Sequence, residues 1–461
     1  MWIIRVASAT VKHSLDHELK ITGSLFLALF VGLVAMTAAR PQPSLFAQTL
    51  SVDAATIKKA REIHERVITL DTHIDFEPAD LIGERNYTRR LETQFDLPKM
   101  IDGGLDALFF SIYVGQTRET QNPEALKPAG YERAYKAVVA KFDAVQRFTR
   151  EIAPDKIELA LTAADVRRIG AKGKKVALMG VENGYPLGED IARVKEFFDR
   201  GARYLSLTHN GHNQLADSHN GERDGWKWNG VSPLGKQVIA ELNRLGIMVD
   251  ISHASKEAMM QTAALSKAPI IASHSAVRAL CDVSRNMDDE QLLALKKTGG
   301  VIQVVAYNSF VKTTKPDSPE RAAALAAAKR EYNLPDAAGP GQRARFQAAL
   351  TQMPADRRAE YDKKLTEIDQ QHPGDALVNL KDFVDHIDYA VKLIGIDHVG
   401  ISSDFDGGGG VIGWNDASET FNVTLELVRR GYTEAQIEKL WGGNILRVMD
   451  AVQRIAGELQ Q

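Results

Sequence analysis

The chain has 461 residues, 44% hydrophobic and 25% charged, which is the make-up of an ordinary globular protein and excludes global disorder. Its 57 basic and 60 acidic residues leave a net charge of −3, so no basic excess favours nucleic acid. One cysteine, Cys281, excludes an intramolecular disulfide and any CxxC metal or redox motif, and reads as structural.

The first element is a targeting segment. Residues 1–20 are polar, with Arg5, Lys12 and Lys20, and the run from Ser24 to Ala39 carries no charge. That run is shorter than the ~20 residues a bilayer span needs. Small residues at Thr37-Ala38-Ala39, and Ala47, offer cleavage points. Residues 1–50 are therefore expected to be an export signal or membrane anchor with its leader, placing 51–461 outside the cytoplasm, periplasmic or secreted.

From there β-branched runs alternate with helical stretches. The strand-like runs are 67–75, 107–115, 175–184, 204–211, 247–255, 269–276, 301–309 and 398–407. Most stay apolar until their last residues, which suits parallel strands buried on both faces. Between them, Ser232-Pro233 supplies an N-cap and a first-turn proline, and Gly246 a stop. Thr433 and Gln436 form a capping box for the last helix. Eight such units predict an α/β fold, a (β/α)8 TIM-like barrel, with a doubly wound open sheet as the alternative. Residues 311–380, rich in Ala, Lys, Arg, Glu and Gln, read as helices inserted between strands seven and eight. They are either a solvated excursion or a lid, since they leave from the strand end where barrel sites form.

Polar residues gather at these strand ends. Run one ends in His73 and Asp75, run three in Glu182, run four in His209, run five in His253, run six in His274 and run eight in Asp404 and Asp406. In a strand, residues i and i+2 share a face, so His73 and Asp75 can converge on one ion. A single histidine at such a place is usually a satisfied core residue. A whole ring of imidazoles and carboxylates needs a common partner, and a divalent cation supplies one. Nitrogen and oxygen donors without thiolate suit catalytic zinc, with manganese or cobalt also compatible. One four-coordinate ion with a water uses three ligands. Two ions sharing a carboxylate use five and can hold a hydroxide between them, which is the expected arrangement. Gly408, Gly410 and Gly413 match G-x-G-x-x-G, but no βαβ unit starts there. Trp226 and Trp228 are read as lining a cleft or covering the barrel.

The motifs DTHID, GVENG, LTHNGHNQLADS, VDISHAS, PIIASHSAVRALCDVSRN and HVGISSDFDG occur in that order over residues 64–450. Together they resemble the membrane (renal-type) dipeptidases, zinc dipeptidases of the amidohydrolase-like barrels. The resemblance implies two zinc ions, one held by His73 and Asp75, the other by His253 and His274, with Glu182 bridging. It implies that His209 contacts the substrate carbonyl, that Arg285 holds the substrate carboxylate, and that Asp404 binds the amine or shuttles a proton. His212 departs from the mammalian pattern, and the C-terminal AVQRIAGELQQ carries no hydrophobic lipid-anchor signal. The expected substrates are small dipeptides, including those with a C-terminal D-residue, and a homodimer is implied. The alternatives are a metal-dependent amidase or deacylase acting on N-acyl amino acids or small lactams, and a binding protein with a vestigial site.

Overall fold

The computed structural model describes residues 52–116, 124–335, 346, 349–350, 352–375 and 377–461. The expected export segment lies outside them. Among the described residues, no helix is long and apolar enough to cross a membrane.

Nine strands form one sheet: β1 (Leu70–Ile74), β2 (Ala107–Tyr113), β3 (Ile157–Leu159), β4 (Lys175–Glu182), β5 (Ala202–Ser206), β6 (Met248–Asp250), β7 (Ile271–Ser275), β8 (Val301–Val305) and β9 (Val399–Ser402). Their order is β1-β2-β4-β5-β6-β7-β8-β9, with β3 pairing β4 off this path, and all pairs are parallel. The sheet nearly closes. Asp404 N–H donates to the His73 carbonyl at 3.2 Å and Asp75 N–H to the Phe405 carbonyl at 2.9 Å. This is the expected eight-stranded barrel with surrounding helices, and each of the eight runs supplies one barrel strand. The extra strand β3 is too short to show a period.

Nearly every strand residue is buried, as parallel strands under a helical layer require. The helix Asn444–Leu459 sends Ile445, Val448, Met449 and Val452 into a cluster with Leu70, Ala107, Met248, Ile271 and Val301, which open their strands. That end of the barrel is therefore sealed with hydrocarbon, and the polar strand ends face the other way. The helix signals act as read: Ser232 accepts from Gly235 N–H ahead of Pro233–Leu245, and Gly246 ends it at φ +83°. Thr433 and Gln436 form the capping box ahead of Glu434–Glu438, and a π turn over Lys439–Gly443 precedes the terminal helix.

The segment between β8 and β9 contains helices Pro319–Glu331 and Ala355–Gln371. Ala328, Leu350, Tyr361 and Ile368 form a small apolar cluster of their own. Inside the barrel, Tyr204 of β5 lies across Gly180 of β4, so closely that a Cβ at Gly180 would overlap the phenol ring. This contact lets the Tyr204 hydroxyl reach β1.

Candidate active site

The sealed floor leaves the opposite strand ends to build the site. The β2–β4 register runs from Ala107↔Val176 to Tyr113↔Glu182, which sets Tyr113 beside Glu182 at the exit. Four of the non-glycine residues with positive φ lie at such exits: Asn183 (78°), His253 (68°), Asp404 (58°) and Asp406 (62°). Backbone strain of this kind persists where surrounding contacts over-determine it, and it gathers at functional sites.

Glu182 sits at the centre, almost fully buried. Its Oε2 faces His73 Nε2 at 3.3 Å. Its Oε1 faces His253 Nε2 at 3.0 Å, His274 Nε2 at 3.4 Å and His209 Nε2 at 3.6 Å. The Nε2 atoms of His253 and His274 are 2.9 Å apart. Three sets of donor atoms lie within 4.8 Å of one another: His73, Glu182 and His274; Glu182, His209 and His253; and His73, Asp75 and Asp404. Gly407 follows, where a Cβ would collide with both the Asp404 and Asp75 carboxylates.

The outward nitrogens fix the tautomers. Tyr204 donates its hydroxyl to the Thr72 carbonyl at 3.2 Å and so accepts from His73 Nδ1 at 3.0 Å. Asn210 Oδ1 accepts from His253 Nδ1 at 2.9 Å. Ser273 donates to Asp250 and accepts from His274 Nδ1 at 2.8 Å. His253 and His274 are thereby protonated at Nδ1 and turn an Nε2 lone pair inward, the arrangement that metal-ligating histidines show, and the Nδ1–H of His73 likewise leaves its Nε2 facing Glu182.

Charge follows burial. His253 and His274 are pushed well below the usual histidine range by burial, and His209 down to about 4 for the same reason. Burial alone would raise Glu182, but the surrounding histidines reverse this and hold it well below the carboxylate range. Asp404 is pushed well up by burial, with the Asp75 and Glu182 carboxylates adding to it. Burial, then Glu182, raise Asp75 to about 6. His73 rises to about 10, because Glu182, Asp75 and Asp404 outweigh its burial.

The donor set fits divalent cations. His73 Nε2 and Asp75 Oδ1 are buried with no hydrogen-bond partner, and two imidazole lone pairs face each other across 2.9 Å. Such groups are costly unless a cation joins them. A cavity of about 730 Å³ opens onto this cluster, lined among others by Tyr113, His209, Asn210, Tyr307, Phe310 and Asp404.

A family model described as membrane dipeptidase (peptidase family M19) matches residues 57–461. The chain belongs to the membrane dipeptidase family. It is an enzyme of this metallo-dipeptidase group, and a metal cofactor goes with the family. The chain is 29% identical over 371 residues to dipeptidase tcpJ of Claviceps purpurea, covering 80% of this chain and 72% of the relative. It is similar to the solved probable dipeptidase PvdM of Pseudomonas aeruginosa: 36% identity, 88% of this chain and all of that one covered, TM-score 0.70. A metallo peptidase of Rhodobacter sphaeroides, solved with a phosphinate mimic of L-Ala-D-Ala, shares the fold at 21% identity, TM-score 0.61, with 84% and 99% covered.

In this M19 dipeptidase the structure brings His73, Asp75, Glu182, His209, His253, His274 and Asp404 together. Arg285 stands beside them without lining the cavity. Its guanidinium donates to the Ser275 hydroxyl and the His274 carbonyl, each at 2.8 Å, and lies 5.4 Å above the ring of Phe310, which does line it. Its Nε has no partner. Asp406 lines the cavity, but its carboxylate accepts from Gln94 and Phe95 N–H and holds that loop. Trp228 donates to the Asn213 carbonyl and Trp226 packs on Gly221, and neither lines the cavity. Among the described residues, none of 311–380 lines it either. Tyr204, Asn210, Asp250 and Ser273, which orient the histidines, escape a sequence reading: each looks like an ordinary core or loop residue.

Proposed function

We propose that the chain is a binuclear zinc dipeptidase hydrolysing the peptide bond of small dipeptides, including those ending in a D-residue. The observation that supports two ions rather than one is the division of Glu182. One carboxylate oxygen turns to His73 and the other to His253 and His274. His73 and Asp75 would hold one ion, His253 and His274 the other, with Glu182 between them. When bound, the ions supply Lewis-acid polarisation of the scissile carbonyl and make water nucleophilic at neutral pH.

The chain's own residues do the rest. His209 is neutral at pH 7, because burial keeps it near 4, and its Nδ1 lies 3.3 Å from the Tyr113 hydroxyl. With that hydroxyl donating, Nε2–H becomes a donor for the developing oxyanion. Asp404, raised by burial, is suited to take a proton and pass it to the leaving amine. Arg285 offers a buried cation for the substrate carboxylate, with its Nε uncommitted. The uncharged run at 24–39 supports export of this enzyme from the cytoplasm.

The test is hydrolysis of L-L, L-D and N-acetylated dipeptides by the full chain, before and after chelation and with zinc restored. Cleavage of the free dipeptides that vanishes on chelation and returns with zinc is expected. A zinc-loaded protein silent toward every dipeptide overturns the reading. Equal cleavage of acetylated substrates would transfer it to amidases.

A further inference from the structure

A buried polar ladder runs behind His274. Asp250, at the end of β6, is fully buried. Its Oδ1 accepts two backbone N–H groups, Ser252 at 3.0 Å and Ser273 at 2.9 Å. Its Oδ2 accepts the Ser273 hydroxyl at 2.6 Å. That hydroxyl has one proton and has given it to Asp250, so towards His274 Nδ1, 2.8 Å away, it can only accept. The neighbouring serines extend the ladder. Ser252 Oγ accepts from the His274 backbone N–H at 3.0 Å and meets Ser275 Oγ at 3.3 Å, and Ser275 Oγ accepts from Arg285 at 2.8 Å.

We propose that Asp250 and Ser273 are positioning residues that select the His274 tautomer, and so decide whether Nε2 presents a lone pair to an ion. This inference rests on the metal reading of the site. The two N–H groups on Asp250 Oδ1 require an acceptor at that position. They make Asp250→Asn a sharper probe than a deletion. The amide oxygen must take the Oδ1 position, because two N–H donors point there. The amide nitrogen then occupies the Oδ2 position and donates to Ser273 Oγ. Ser273 must turn its own proton towards His274 Nδ1, and the ring carries its proton on Nε2 instead. A nearly isosteric change thus closes the ligand position from behind. Ser273→Ala has a different effect: it leaves Nδ1–H unpartnered but does not force the inward nitrogen to hold a proton. Ser273→Thr keeps the hydroxyl.

The test is zinc binding to the full chain by competition with a chromogenic chelator, alongside melting curves and the kcat and KM for a free dipeptide. Asp250→Asn is expected to lose at least about 100-fold in affinity at one of two zinc sites while keeping the other, with kcat falling more than KM rises. Ser273→Ala is expected to lose about 10-fold at the same site, within the range for loss of an outer partner, and Ser273→Thr to restore it. A purely structural role would lower the melting temperature of Asp250→Asn but leave zinc affinity of the folded protein unchanged, and that result overturns the proposal. Equal weakening of both sites overturns it too. If Asp250→Asn does not fold, the contrast between Ser273→Ala and Ser273→Thr decides: identical zinc affinities overturn the relay. A wild-type chain that binds no zinc removes the metal reading itself, and the inference with it.

Discussion

His253 and His274 point their Nε2 atoms at each other across 2.9 Å, with Glu182 Oε1 3.0 and 3.4 Å away. Both rings are held neutral by burial and both donate through Nδ1. Without a cation the two lone pairs repel. Chelation should therefore lower the melting temperature, and zinc should restore it. At free zinc 100-fold above Kd the linkage contributes about 2.7 kcal/mol. Melting curves with and without chelator, paired with metal analysis, check this; superimposable curves for loaded and stripped protein refute it.

Metal uptake should release protons. In the metal-free chain His73 is raised to about 10 and so holds a proton at pH 7, whereas a ligating imidazole cannot. Zinc affinity should fall as the pH is lowered from 8 to 6. Calorimetric titrations in two buffers of different ionisation enthalpy measure the protons released. Identical heats in both buffers would contradict the assignment of His73.

Glu182→Gln removes the charge that both histidine sets face. Loss of an outer partner costs about 10–100-fold in metal affinity. Loss of a shared central carboxylate should exceed that, with kcat/KM falling by more than about 100-fold. Full activity with two bound ions in this variant would show that Glu182 does not bridge.

Asp406 gives a pH signature independent of catalysis. Burial raises its carboxyl from 3.8 to about 7 in the folded chain. A carboxyl raised by folding contributes stability that is complete below its unfolded value and is lost as pH rises through the folded one. Its contribution should therefore disappear between about pH 4 and pH 7. Asp406→Asn has no such titration, so its melting temperature should depend less on pH across that window. Parallel curves for the two proteins would sink this assignment.

Tyr204 and Gly180 form a mutational pair. Tyr204→Phe removes the acceptor of His73 Nδ1, leaving a buried donor unsatisfied at a cost of about 1–3 kcal/mol. Gly180→Ala drives a methyl into the phenol ring, an overpacking of about 1–3 kcal/mol. Both should weaken zinc binding, as a chelator competition measures. Wild-type zinc affinity in both variants would show that Tyr204 does not orient His73.

The barrel strands were legible because buried parallel strands are β-branched runs, and His73, Asp75, Glu182, His253 and His274 because they close those runs. The short β3, with the sequence IEL, has no pattern to detect. Arg285 was visible only through resemblance, since it lies on an irregular loop after β7. The partners of the histidines were hidden for another reason. Tyr204 belongs to the core pattern of β5, which does not pair with the β1 of His73, and whether its hydroxyl meets His73 depends on the missing side chain at Gly180, which no local period reports. Ser273 and Asp250 meet across two strands through proton directions that only the assembled geometry determines.

The barrel seam has a kinetic consequence. β1 and β9 meet where Ser403 N–H donates to the Asp71 carboxylate, 332 positions away in the chain, and beside it the backbones of His73 and Asp404 are joined. Contacts of such long sequence separation are slow to form, because a very large loop must close first. Of the residues that would do the chemistry, His73 and Asp75 come with the first barrel strand and Asp404 with the last. A nascent chain lacking β9 has neither Asp404 nor the backbone clamp on His73 and Asp75. Hydrolytic competence is accordingly expected to wait on closure of this seam.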